Sequence, residues 1–248
     1  MCAIVDGVDN LRKAVRDRFR TGSHAIKIMT SGGVVSLTDP IRLPQYSAEE
    51  IQAVTDEASR RGSYVAAHAY SPEAIRHSVL NGVRSIEHGN LLDEDTAQLM
   101  AEHESFLVPT LAAYDAMNRR GELLHLSTIS QKKNSEVLEA GQTAIQTAHA
   151  AGVKVGFGSD LMGELEDDQL CGVRLQIEAS GVLETLRSMT TVNSELLRNN
   201  RIGVLSPGSA GDALILDGNP FEDEAALWDE ARPRTVVQNG HIVHDGFQ

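Results

Sequence analysis

Short apolar runs rich in Val, Ile and Ala alternate along the first 160 residues with segments in which apolar residues recur every three or four positions. The short runs predict β-strands over residues 24–30, 64–69, 83–87, 105–110 and 153–159. The periodic segments predict helices over residues 9–20, 47–61, 72–81, 93–103 and 130–151. This order is typical of parallel strands joined by helical crossovers.

Capping residues mark several of the predicted helix boundaries. Asp9 is the expected N-cap of the first helix. Ser47 and Glu50 have the spacing of a capping box at the start of the second helix, and Ser71 followed by Pro72 is typical of a helix start.

The pattern changes after residue 160. It predicts helices over residues 169–180, 182–189 and 191–199, then a strand over 213–217 and two strands over 234–238 and 241–245. The dipeptide Asn239-Gly240 between the last two strands predicts a hairpin. The five earlier strands are too few to close an eight-stranded barrel.

The composition narrows the possible functions. The chain has 248 residues with 41% hydrophobic and 23% charged residues, which is typical of a globular protein. Its net charge of -13 disfavours binding to nucleic acid or to an anionic membrane. Cys2 and Cys171 are far apart, so neither a disulfide framework nor a thiolate zinc site is indicated. With no spanning apolar run and no signal-peptide pattern, we expect a cytoplasmic protein.

Four polar residues stand at the carboxyl ends of predicted strands, namely Lys27, His68, His88 and Asp160. In a parallel (β/α) barrel this end carries the chemistry. Imidazoles are neutral nitrogen ligands for zinc or a similar divalent ion, and a carboxylate can bind metal or act as a base on water. A buried lysine that loses its proton can take up carbon dioxide and become a carbamate that bridges two metals.

Each of these residues has a simpler interpretation on its own. Lys27 alone would be an ion-paired side chain, each histidine a hydrogen-bonded structural residue, and Asp160 a helix cap. Four of them at the ends of four strands favour a metal site. A lyase or aldolase with Lys27 as Schiff-base lysine is an alternative, but it leaves the other three residues unexplained.

Several segments resemble the amidohydrolase superfamily, in the branch of imidazolonepropionase-related and Xaa-Pro dipeptidase-like proteins. They are IKIMTSGGV, VAAHAYSPEAI, GVRSIEHGNLLDED, LVPTLAAYDA, GVKVGFGSDLMGE and GVLSPGSAGDALILDGNPFED. The resemblance implies an α/β fold in which residues 1–200 form strands 4 to 8 of a partial (β/α)8 TIM-type barrel. Residues 201–248 would then be the carboxyl-terminal β segment of a small companion β-sandwich.

The resemblance also implies roles for the four strand-end residues. Lys27 would be carboxylated and bridge two divalent metals, most simply zinc. His68 and His88 would bind one metal, and Asp160 would bind the other and carry the catalytic proton. The reaction implied is hydrolysis of a C–N bond, in a dipeptide or an N-acyl amino acid, by a metal-bound hydroxide. Tyr70 and Arg174 are the implied substrate contacts.

The sequence departs from the family pattern in two places. It has no His-x-His pair, which in the family ends the first barrel strand, and Gly172 stands near the position of a usual acidic residue. We expect the chain to begin just before the helix that precedes strand four, and to self-associate or bind a complementing fragment. The alternative hypothesis is a truncated, catalytically silent fragment or pseudoenzyme that acts only through association.

Overall fold

Five parallel strands form the main sheet of the computed structural model, which describes residues 3–247. The strands lie side by side in sequence order: β1 (Ile26–Met29), β2 (Val65–Ala69), β3 (Ser85–His88), β4 (Phe106–Val108) and β5 (Lys154–Val155). Cys2 lies outside the described residues. The predicted α/β class, with a partial TIM-type barrel, is confirmed.

Helices precede, separate and cover these strands. They are α1 (Val8–Arg20), α2 (Ala48–Arg60), α3 (Pro72–Leu80), α4 (Glu94–Glu102), α5 (Leu111–Arg120) and α6 (Thr128–Ala150). The sequence pattern did not predict α5. Six of its ten residues are buried, so it lacks the polar stripe by which an amphipathic helix is recognised.

The chain after β5 continues in short helices and a second sheet. A 3₁₀ helix (Gly163–Asp168) leads into α7 (Gln169–Arg187), which is interrupted at Gly181, and a π-helical turn (Ser188–Val192) leads into α8 (Asn193–Leu196). The second sheet is antiparallel and contains β6 (Ala213–Leu216), β7 (Arg234–Gln238) and β8 (His241–Asp245), with α9 (Ala225–Trp228) after β6. The predicted Asn239-Gly240 hairpin is confirmed.

The two faces of the parallel sheet differ in character. Apolar residues of one face pack under the helices, and they include Ile26, Ile28, Val65, Ala67, Ile86 and Leu107. In the strand register, Met29 is paired with His68, and His68 with Glu87. Because paired residues of parallel strands point to the same side, these three side chains share the other face.

Two of the three predicted helix caps are present in the structure. Ser47 and Glu50 form the predicted capping box, and Ser71 accepts from the backbone N–H of Ala74. The prediction for Asp9 is wrong, because Gly7 is the N-cap residue. The Gly7 N–H donates to Glu50 Oε1 at 2.8 Å, so a carboxylate from α2 satisfies a backbone donor at this end of α1.

Strand β5 is shorter than the predicted 153–159. Its backbone pairs with β4 on one side only, and side chains from the π-helical turn and α8 bond the other side. Ser188 Oγ donates to the Val155 carbonyl at 2.6 Å. The Asn193 amide accepts from Phe157 N–H at 3.1 Å and donates to Phe157 O at 2.8 Å, as a neighbouring strand would.

The second sheet segment contacts the barrel segment through α7. Val173 and Ile177 of α7 pack against Leu227 of α9 in one apolar cluster. The proposed division of the chain at residue 200 stays a prediction. Within residues 3–247, no helix is both long and apolar enough to cross a membrane.

Candidate metal centre

The rings of His68 and His88 lie together at the carboxyl ends of β2 and β3. Their centroids are 4.5 Å apart with an interplanar angle of 71°. Strand alternation alone would place His88 on the face opposite to Glu87. His88 instead adopts a left-handed φ of 80°, followed by Gly89 at 58°, and this turn ends the alternation and brings its ring to His68.

Both imidazoles are neutral in this environment. Burial lowers the pKa of His68 to about 4 and that of His88 well below its usual value. The nearby positive charge of Lys27 lowers both further. Neutral imidazole is the form that binds a metal ion.

The hydrogen bonds of the two rings identify which nitrogens are available. His68 Nε2 lies 3.2 Å from the Gly32 carbonyl oxygen, which can only accept, so Nδ1 of the neutral ring carries the lone pair. His88 Nδ1 lies 2.7 Å from Thr110 Oγ1. His88 Nε2 is buried and has no hydrogen-bond partner in the described part of the chain. A buried polar atom without a partner is unfavourable unless a ligand binds it.

Lys27 and Asp160 lie close enough to interact electrostatically with each other. Asp160 is an exposed residue, but the protein atoms around its carboxyl group raise its pKa, and the positive charge of Lys27 opposes that rise. Asp160 has a left-handed φ of 51°. The expectation that Lys27 is buried is wrong, because it lies on the edge strand β1 and its side chain is exposed.

These residues fit a metal ion only in part. No three His, Cys, Asp or Glu side chains among residues 3–247 lie close enough together to hold a metal by themselves. The donors present are the two neutral imidazoles, one with a buried nitrogen that has no partner. A metal held there needs a further donor, and carboxylated Lys27 is the chemical candidate from the strand beside them.

Tyr70 packs directly against both histidines. Its ring is stacked on His88 at 5.2 Å and is edge-on to His68 at 4.8 Å. Its Oη lies 2.9 Å from Tyr114 Oη, and burial raises the pKa of both phenols. The structure therefore brings Tyr70 together with the predicted histidines.

Three further residues at this site, two of them buried and Glu87 partly buried, were not predicted from the sequence. Glu87 faces the same side as His68, its pKa is raised by burial, and Ser85 Oγ donates to it at 2.6 Å. Thr110 and Tyr114 follow β4, and the strand-end position of Thr110 is the signal that would have identified it. Thr110 has a left-handed φ of 48°, which costs a β-branched residue about 1–3 kcal/mol.

Arg174 is placed apart from this group. Its guanidinium pairs with Glu178 at 2.5 Å and contacts Cys171 Sγ at 3.6 Å, both on its own helix α7. Its predicted contact with substrate stays a prediction. Gly172 is buried, and a Cβ there would lie 3.0 Å from Ala112 Cβ, so this position has no room for the usual acidic side chain.

Comparisons with known proteins agree with this fold. The model of the amidohydrolase family matches residues 1–243. Ochratoxinase from Aspergillus niger is 31% identical over 98% of this chain, and the match covers 51% of that protein. The chain thus spans about half the length of this curated relative.

Two solved structures are similar over 98% of the chain. A prolidase complexed with N-methylphosphonate-L-proline has a TM-score of 0.95 and 46% identity, with 60% of that chain covered. A Xaa-Pro dipeptidase with bound methionine in the active site has a TM-score of 0.87 and 29% identity, with 59% of that chain covered. Together with the family match over nearly the whole sequence, these similarities show that the chain belongs to the amidohydrolase family.

Proposed function

We propose that this chain takes part in the metal-dependent hydrolysis of a C–N bond in a dipeptide or an N-acyl amino acid. The observation that carries the proposal is the contact between two neutral, buried imidazoles, one of which has a buried Nε2 without a partner. Two nitrogen lone pairs at the carboxyl ends of parallel strands, beside a tyrosine hydroxyl, suit a metal-assisted reaction better than a structural core.

Nδ1 of His68, Nε2 of His88 and a carboxylated Lys27 are the donors that would hold the metal, for which zinc is the simplest candidate. A bound divalent metal would act as a Lewis acid that acidifies water and polarises a carbonyl group. Reaction of the neutral form of the Lys27 amine with carbon dioxide would form an N–C bond, release one proton and leave an anionic carbamate as an oxygen donor. Because the side chain is exposed, carbon dioxide can reach it without a conformational change.

The side chains around the histidines supply the remaining steps. Asp160, whose pKa is raised by burial, accepts the proton of the attacking water and returns it to the departing amine nitrogen. Tyr70 donates its hydroxyl proton in a hydrogen bond to the carbonyl oxygen as negative charge develops there. The rings of Tyr70 and Tyr114 also exclude bulk water from one side of the histidine pair.

The substrate class rests on the similar proteins. One is a prolidase complexed with N-methylphosphonate-L-proline, another is a Xaa-Pro dipeptidase, and a third is an ochratoxinase. We extend this to a dipeptide or an N-acyl amino acid for the present chain. The expected cytoplasmic location and the expected self-association or complementing fragment stay predictions.

The proposal is tested with single histidine variants. His68→Ala and His88→Ala should each lose bound zinc in elemental analysis and lose turnover of a panel of Xaa-Pro dipeptides and N-acyl amino acids. His103→Ala is the matched control, because His103 is an exposed histidine at the end of α4. Zinc content and turnover that are the same in His68→Ala as in the unaltered chain would refute the proposed site.

A further inference from the structure

A buried hydrogen bond joins His88 to Thr110, the residue that precedes α5. His88 Nδ1 lies 2.7 Å from Thr110 Oγ1, and the two residues are 1% and 3% exposed. Because the bond is buried, the proton between these two atoms has no competing acceptor in solvent.

This bond can run in two directions. In the first, His88 Nδ1–H donates to Thr110 Oγ1, and His88 Nε2 carries the lone pair. In the second, the Thr110 hydroxyl donates to His88 Nδ1, and the proton of the neutral ring is on Nε2.

One observation favours the first direction. His88 Nε2 is buried without a hydrogen-bond partner among the described residues. An Nε2–H group there would lack an acceptor, whereas an Nε2 lone pair is ready for a metal ion.

We propose that Thr110 is a positioning residue that holds His88 in the Nδ1–H tautomer, which leaves Nε2 free to bind a metal. The inference rests on the proposed function of His88. A left-handed φ of 48° at Thr110 supports it, because Gly or Asn adopts this conformation more easily and the hydroxyl of Thr110 is the group that bonds His88.

The tautomer can be measured without any reaction. Two-bond and three-bond ¹H–¹⁵N correlations of ¹⁵N-labelled histidine in the metal-free protein should show Nδ1 protonated in His88 and Nε2 protonated in His68, which serves as the internal reference. Thr110→Val keeps the shape and β-branching of threonine but removes the hydroxyl, so His88 should lose its single tautomer. Thr110→Ser keeps a hydroxyl and should restore it.

The same variants should change metal binding. Thr110→Val should weaken zinc binding by about 10- to 100-fold, as loss of a hydrogen bond to a ligand histidine commonly does, and Thr110→Ser should restore it. Tyr114→Phe is the control, because it removes another buried hydroxyl near His88 and should leave the His88 tautomer and zinc affinity unchanged. Rescue by serine excludes a purely steric role for Thr110.

Three outcomes decide the inference. An Nε2–H tautomer of His88 in the unaltered protein overturns it, even where Thr110→Val does not fold. Unchanged tautomer and zinc affinity in a folded Thr110→Val protein also overturn it, while the proposed function stands if His68→Ala still loses zinc. A third outcome is that the expected tautomers are found but His68→Ala binds zinc as well as the unaltered chain. This result supports the proton direction and refutes the proposed function.

Discussion

Arg16 and Glu57, 41 residues apart in sequence, form a two-pronged ion pair that joins α1 to α2. Arg16 Nε lies 2.9 Å from Glu57 Oε2, and Arg16 Nη2 lies 2.5 Å from Glu57 Oε1. The Glu57 side chain is 9% exposed, whereas that of Arg16 is 58% exposed. The hydrogen bond from Arg16 lowers the pKa of Glu57, so the pair stabilises the folded chain while Glu57 is ionised.

Replacing Glu57 with Gln should make the stability less dependent on pH in acid. Because the folded-state pKa of Glu57 is lowered, its contribution is present above the unfolded value of 4.5 and is lost as the pH falls through the folded value. At neutral pH we expect the melting temperature of the variant to be about 2 °C below that of the unaltered chain. This difference should disappear at acid pH. Asp17→Asn, at an exposed pair with Arg20, is the control and should change little. A difference in melting temperature that grows as the pH falls would contradict a stabilising role for ionised Glu57.

Removing the ammonium of Lys133 should loosen the loop that follows β1. Lys133 Nζ donates to the carbonyl oxygens of Gly33, Ser36 and Asp39, at 3.2, 2.7 and 2.7 Å. In Lys133→Met these carbonyls lose their common donor, so amide hydrogen exchange over residues 33–39 should accelerate by roughly tenfold or more. Lys132→Met, at the exposed neighbouring position, should leave exchange unchanged. Equal exchange in both variants would show that α6 does not hold the loop through this lysine.

Asn193→Ala should destabilise the fold by about 1–3 kcal/mol, because both Phe157 backbone groups lose their partner at a half-buried position. The measurement is urea unfolding followed by circular dichroism. Asn200→Ala, at an exposed position shortly after α8, is the control and should lie within about 0.5 kcal/mol of the unaltered chain. If Asn193→Ala lowers the free energy of unfolding no more than Asn200→Ala does, water replaces the Asn193 amide.

Tyr70→Phe should lower kcat by roughly 10²- to 10³-fold and change KM less, because the hydroxyl would act on charge that develops in the transition state. Steady-state kinetics on the substrates identified in the panel give both constants. Tyr64→Phe removes a hydroxyl just before the opposite end of β2 and should leave kcat unaffected. If both variants keep full kcat, the Tyr70 hydroxyl does not contact the reacting carbonyl.

Much of the framework was predictable from local patterns. The parallel strands follow from short apolar runs between periodic helices, and Ser47 and Ser71 mark helix starts because a side-chain oxygen there satisfies a free backbone N–H. The grouping of His68 with His88 was predictable for a similar reason, since the carboxyl ends of parallel strands lie at one edge of a sheet.

The remainder depends on contacts between distant segments. Asp9 does not cap α1, because the helix already begins at Val8, and Glu50 of another helix bonds the N–H of the N-cap residue Gly7. The roles of Thr110 and Tyr114 depend on the left-handed backbone at His88 and Thr110, which local propensity disfavours for these residue types. Exposure of Lys27 follows from the position of β1 at the edge of the sheet, which the sequence of the strand alone does not specify.

The side chains that bond the free side of β5 also bear on aggregation. An unpaired strand edge is a template on which another chain can add a strand. Ser188 and Asn193 already hold three of the backbone groups that such a strand would need, one in β5 at Val155 and two just after it at Phe157. A second copy therefore has to displace these side chains before it can extend the sheet there, which disfavours the growth of fibrils from this edge.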